Sequence, residues 1–170
     1  FIAEQRAMQQ IEEGKLTYSY TPLYSYRWDH TLGYEGEGPN SISLVSLNVN
    51  GIMSNNSWPK LLDLDILCLQ ETNLSQGDPR VASLTNTSEF YGFKPHFGYS
   101  PAGGGTAILI NSSTDELKVT YAKSALQGRV TYLDLTCFGK KLRIMSCYAP
   151  ATGSQRARFM TKLRKFATAD

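Results

Sequence analysis

The chain has 170 residues, 41% hydrophobic and 19% charged, which fits one ordinary soluble globular domain long enough to bury a core. No apolar run approaches the ~20 residues of a membrane span, and the start lacks a basic-then-apolar signal pattern, so a membrane protein is excluded as an expectation. The net charge of +2 is uneven: residues 1–110 carry 6 Lys/Arg against 11 Asp/Glu, a balance of −5, and residues 111–170 carry 11 against 4, a balance of +7.

The first residue is Phe1 rather than Met, which reads as a processed or cut piece. Residues 3–13, "AEQRAMQQIEE", read as a short polar helix stopped by Gly14. Next comes an extended arm with Tyr18, Tyr20, Tyr24, Tyr26 and Trp28 on alternate positions, broken by Pro22. Aromatic side chains on one side of an arm need a surface to cover. Stacking on nucleic-acid bases is one reading, and packing on the arm's own domain or a partner is the other. "GYEGEGPNS" then reads as a Gly/Pro linker, dividing an extension over 1–40 from a domain over 41–170.

From Ser41 the pattern is strand, short connection, strand. "ISLVSLNV", "LDILCLQ" and "GGTAILI" are apolar runs, while "LKVTYAK", "RVTYLDLTCF" and "KLRIMSCYAP" alternate as antiparallel strands with one covered face do. A turn is expected at Phe138–Lys141. After Pro150 the period changes. Phe159, Met160, Leu163, Phe166 and Ala167 fall on one helical face, with Thr152 and Gln155 as a capping box. The three cysteines, Cys68, Cys137 and Cys147, lie inside the strand-like stretches without metal-site spacing. They read as buried reduced thiols, and the compartment as intracellular, nuclear rather than cytoplasmic.

Three strand ends are chemically odd. Asn48 and Asn50 close the first strand, Glu71 closes "LDILCLQE", and Tyr148 closes "KLRIMSCY". A carboxylate leaving a hydrophobic strand must meet solvent, a cation or a donor. One glutamate holding Mg²⁺ with waters and a substrate phosphate suits that ion, and a plain exposed strand-end glutamate is the other reading. His30 and His96 read as ordinary loop histidines.

Taken in order, "SLNVNGI", "LDILCLQET", "GGGTAILI" and "MSCYAP", succeeded by a basic amphipathic helix, resemble the exonuclease–endonuclease–phosphatase (DNase I-like) superfamily. The resemblance is to its apurinic endonuclease and exonuclease III group. It is strongest to the endonuclease domains of LINE-type (non-LTR) retrotransposons, which accompany reverse transcriptases; "YAPATGSQRARF" is similar to the segment that begins at their catalytic tyrosine.

It covers residues 41–170 and implies an α+β fold, a four-layer α/β/β/α sandwich with about its first half present. It implies a DNA-nicking hydrolase using Mg²⁺, with Mn²⁺ as the substitute. By the resemblance Asn48, Glu71 and Tyr148 match catalytic positions, Glu71 is expected to ligate the metal, and Asn50 to share in it at a position where some members have aspartate. Arg156, Arg158 and Lys162 are expected to contact DNA phosphates.

The family's later Asp-x-Asn and terminal Ser-Asp-His motifs do not occur, and the helix expected between Gly51 and Leu64 is interrupted by Pro59. The partner is therefore DNA, together with a missing C-terminal half or another protein chain. A catalytically dead half-domain serving as a structural or interaction subunit is the alternative. A phosphatase or lipid phosphodiesterase of the same superfamily is a third.

Overall fold

Ile66, Leu67, Cys68 and Leu69 give their strand no polar face, so it must be covered on both sides. A computed structural model of the protein shows how, describing residues 25–29, 41–54, 64–101 and 103–167, of which Ser25–Asp29, Ser41 and Ser54 in their backbone only. The expected helix over 3–13, the Gly/Pro linker, His30 and Pro59 lie outside the described residues.

In chain order the elements are β1 (Ser25–Asp29), β2 (Ser41–Asn48), a 3-10 turn (Ile52–Ser54), β3 (Ile66–Gln70), α1 (Arg80–Phe90), β4 (Phe93–Gly98), β5 (Thr106–Asn111), β6 (Leu117–Ala125), β7 (Val130–Cys137), β8 (Lys140–Cys147) and α2 (Gly153–Ala167). They form a five-stranded sheet, β1-β2-β3-β5-β4, and a three-stranded sheet, β6-β7-β8. β2 and β3 are parallel; the other described pairings are antiparallel. The end of the aromatic arm is β1, whose Tyr26 pairs with Leu44 and Trp28 with Ile42 at the sheet edge.

Strand alternation sorts the core into layers. Ile66 and Cys68 of β3, with Ile108 and Ile110 of β5, meet Leu133, Leu135 and Cys137 of β7 between the sheets. Their neighbours Leu67, Leu69, Ala107 and Leu109 face the opposite way and pack with Leu84 of α1. On the far side of the smaller sheet, Val130 and Tyr132 receive Phe159 of α2, with Leu163 and Phe166 beside it. The order is helix, sheet, sheet, helix, as expected for an α+β sandwich.

Some expectations are corrected. α1 and β4 were not legible: α1 buries only Leu84 and Ser88, too few for an apolar stripe, and Pro95 interrupts the strand pattern of β4. His96 is therefore a strand residue, not a loop one. The turn before β8 is tighter than expected, with only Phe138 and Gly139 at positive φ (47° and 75°), a two-residue hairpin connection; Lys140 and Lys141 already belong to β8. Met160 is 48% exposed and Ala167 is exposed, so the covered face of α2 is narrower than the expected one. Thr152 opens that helix through its carbonyl, which accepts from the Arg156 N–H at 2.9 Å. The cysteines are free thiols, Cys68 and Cys137 buried and Cys147 half-buried. Burial pushes the Cys68 thiol up to about 12.

Candidate active site

The parallel pairing of β2 with β3 sets Asn48 opposite Gln70, so both strands finish at the same end of the larger sheet. β8 finishes there too. Its Ser146 hydroxyl donates to the Leu69 carbonyl at 2.8 Å, and Gln70 Nε2 donates to Ser146 Oγ at 3.0 Å. One residue beyond Gln70 is Glu71, and two beyond Ser146 is Tyr148. The strand ends therefore bring two expected site residues together. Hydrogen bonding to the nearby Glu71 carboxylate holds the Tyr148 phenol above its ordinary value near 10; burial and the glutamate's charge add to this, and the Arg129 charge opposes it.

Glu71 leaves the strand by a sharp bend, with φ of 56° in the left-handed region that L side chains avoid. The bend is fastened on both flanks. Gly51 N–H donates to the Glu71 carbonyl at 2.7 Å. On the other side Thr72 N–H donates to the Gly105 carbonyl at 3.3 Å and Asn73 N–H to the Gly104 carbonyl at 2.5 Å. Gly104 N–H returns a 2.8 Å bond to Asn73 Oδ1.

Asn48 and Asn50 are exposed at the adjoining mouth of β2. Asn50 also has positive φ (44°), and its N–H donates to Asn48 Oδ1 at 3.0 Å. Asparagine tolerates that conformation and caps it with its own neighbour's amide. With the Asn48 oxygen engaged, its Nδ2 is the group free to donate to a ligand.

The basic residues divide. Arg156 folds back on the loop after Tyr148, donating through Nε to the Pro150 carbonyl at 3.2 Å and through Nη2 to the Ala151 carbonyl at 2.8 Å. Arg158 and Lys162 are exposed on α2 in the outer layer. His96 is half-buried on β4, with Nε2 buried and unpartnered; burial, and then the Lys94 charge, lower its pKa.

Residue-type reasoning missed Arg129, Asn73 and Gly104. Arg129 lies beside Tyr148 because β7 and β8 pair antiparallel, and its guanidinium carbon is 5.1 Å from the Tyr148 ring centroid. The run Gly103–Gly105 was a visible signal of close backbone approach, but what approaches it was not.

Among the described residues, no three His, Cys, Asp or Glu gather as a metal cluster. The oxygen donors at this end are the Glu71 carboxylate and the Asn50 amide oxygen, both hard oxygens. One carboxylate with waters and a phosphate is how Mg²⁺ is commonly held, so the donor set fits that ion.

The family model for endonuclease/exonuclease/phosphatase proteins matches residues 45–166. Among solved structures, AP endonuclease LMAP from Leishmania major is 20% identical at a TM-score of 0.55, over 72% of this chain and 46% of that one. An AP endonuclease from Archaeoglobus fulgidus is 20% identical at 0.52, over 75% and 52%. D. rerio TDP2, in a complex with a single-strand DNA product, is 18% identical at 0.52, over 76% and 56%. At these identities the likeness is one of fold. The chain spans about half the length of the structures it matches.

Proposed function

The chain belongs to the endonuclease/exonuclease/phosphatase family, and from that premise we propose that it is the N-terminal half of a Mg²⁺-dependent DNA endonuclease of the apurinic and LINE-retrotransposon type. The carrying observation is that Glu71 and Tyr148 leave β3 and β8 at the same sheet end, where the Ser146–Leu69 bond ties the strands, with Asn48 at the adjoining mouth of β2. A carboxylate, a phenol and an amide donor at one sheet end suit a phosphodiester.

Glu71 would hold Mg²⁺, with Asn50 beside it. Bound there, the ion would neutralise charge on the phosphate and on the leaving oxygen. Tyr148 would donate its phenolic hydrogen to a phosphate oxygen as charge develops there. Asn48 would orient the phosphate through Nδ2, the donor that its bond to Asn50 leaves outward. The group that deprotonates the attacking water is assigned to the missing half, which the span of about half the matched structures supports.

DNA as substrate is supported by the +7 balance of residues 111–170, and a related fold holding a DNA product is consistent with it. Arg158 and Lys162 would contact phosphates directly. Arg156 would act through the loop that it holds. Residues 1–40 are proposed as an extension preceding the family domain, and the compartment as nuclear.

The test is Mg²⁺-dependent nicking of supercoiled plasmid by the full-length protein, with Glu71→Ala and EDTA controls. The expected result is a rate loss of about 10²–10³ for the variant, the usual cost of one lost electrostatic contact. Unchanged nicking by Glu71→Ala would sink the reading. Nicking by the 170-residue chain alone would overturn the assignment of the base to a missing half.

A further inference from the structure

Tyr148 is held more closely than an ordinary strand-end residue. Its N–H donates to the Arg129 carbonyl at 2.8 Å, and Arg129 Nη1 donates to the Tyr148 carbonyl at 3.4 Å. The same guanidinium lies 5.1 Å from the ring centroid, within the ~6 Å at which a cation is attracted to an aromatic face. One planar group thus grips both the backbone and the ring. A lysine, with a single point of charge, could not serve both at once.

The ring also rests on a glycine. A Cβ on Gly104 would fall 2.8 Å from ring atoms Cδ1 and Cε1, so the edge of Tyr148 occupies the space of a missing side chain. Gly104 is buried, with φ of 87°, and is bonded in both directions to Asn73. Asn73 is two residues from Glu71 on the same bend. The surface under the ring is therefore fastened to the segment that carries the carboxylate.

We propose that Arg129 and Gly104 are positioning residues that fix the Tyr148 ring at the strand end that also carries Glu71. The proposal rests on the endonuclease reading for its purpose, but its geometry can be tested without any activity. Arg129, just before β7, restrains the ring, and Gly104 sets how closely the edge approaches the Glu71 bend. Neither touches the substrate phosphate in this scheme.

The experiment is NMR of the 170-residue chain with the Tyr148 ring resonances identified by loss in Tyr148→Phe. A clamped ring gives contacts to the Gly104 α-protons and two inequivalent edges, because one edge bears on Gly104 and flipping is slow. Arg129→Ala is expected to average the edges and weaken the Gly104 contact, with amide signals elsewhere unchanged, and Arg129→Lys to restore them only in part. Gly104→Ala is expected to displace the ring and change the Asn73 amide signal. In nicking-competent full-length protein, Arg129→Ala should lower kcat by about 10²-fold with KM kept, as expected for misplacement of a reacting group.

Inequivalent edges and an intact Gly104 contact in Arg129→Ala would overturn the proposal. Arg129→Lys nicking as poorly as Arg129→Ala while keeping the ring signals would overturn it too. A clamp lost in these variants, in a protein that never nicks DNA, would uphold the positioning and remove the endonuclease reading instead.

Discussion

The Ser146 hydroxyl donates to the Leu69 carbonyl at 2.8 Å, joining the two sheets just before each delivers its site residue. Ser146 is buried, and Gln70 Nε2 uses its oxygen as an acceptor. The distance between Tyr148 and Glu71 is thus governed by a polar tie between the sheets; the Thr106–Thr131 hydroxyl contact at 2.8 Å between β5 and β7 is another such tie.

Ser146→Ala removes that tie and strands a buried carbonyl and part of the Gln70 amide. The expected loss is about 1–3 kcal/mol by denaturant unfolding, the cost of leaving buried partners unsatisfied. Ser146→Thr should retain the bond at a steric cost. An Ala variant as stable as the parent would show that water replaces the hydroxyl.

Glu71 is held at positive φ (56°), a conformation costing an L residue about 1–2 kcal/mol. Glu71→Gly relieves that cost while deleting the carboxylate. Thermal unfolding is expected to shift upward, by up to ~1 kcal/mol once the lost carboxylate contacts are deducted, and nicking to fall by about 10²–10³ as for Glu71→Ala. A drop in melting temperature would mean that the carboxylate stabilises the fold by more than its backbone strains it.

Phe159 is the buried anchor of α2, packed on Val130 and Tyr132. Phe159→Ala leaves a cavity under the outer helix and should cost about 3–5 kcal/mol. The neighbouring Met160, 48% exposed, provides the contrast: Met160→Ala should stay within ~0.5 kcal/mol. Equal losses at both would show that the helix packs on a different face.

His96 has its pKa lowered by burial and by Lys94. The unfolded chain therefore takes up the proton first. Its contribution to stability is fully present above about 6.5, the ordinary value, and is lost as pH falls through the lowered folded value. Urea midpoints should decline on acidification from there, and His96→Leu should flatten that part of the profile. An unchanged profile would assign the acid sensitivity to carboxylates.

Arg158 and Lys162 are exposed on α2. If they contact phosphates, Arg158→Ala and Lys162→Ala should each reduce the salt slope of DNA binding by about 1. Glu71→Ala should leave that slope unchanged. A slope indifferent to both basic substitutions would remove α2 from the DNA interface.

β2, β3 and β5 were legible as runs of β-branched or apolar residues, and β6, β7 and β8 from their alternation, which is plain in the residues of β7. α2 was legible from its 3.6-residue period. α1 and β4 were not: one buries a single apolar residue and a serine, and the other carries Pro95 and His96 in mid-strand. Tertiary packing overrides such weak local signals.

The chemistry divided in the same way. Asn48, Glu71 and Tyr148 stood out in the chain because a polar group ending an apolar run needs a reason, and the ordered motifs supplied a family. That much the sequence determined by itself. That the ends of β3 and β8 bring Tyr148 to Glu71, that Arg129 lies over the tyrosine ring, and that Gly104 leaves the space its edge occupies were decided only by the tertiary structure. These contacts join β3, β5, β7 and β8, and sheet register and face-to-face packing set them; both are non-local, fixed by how whole strands pair and not by any residue's own preference.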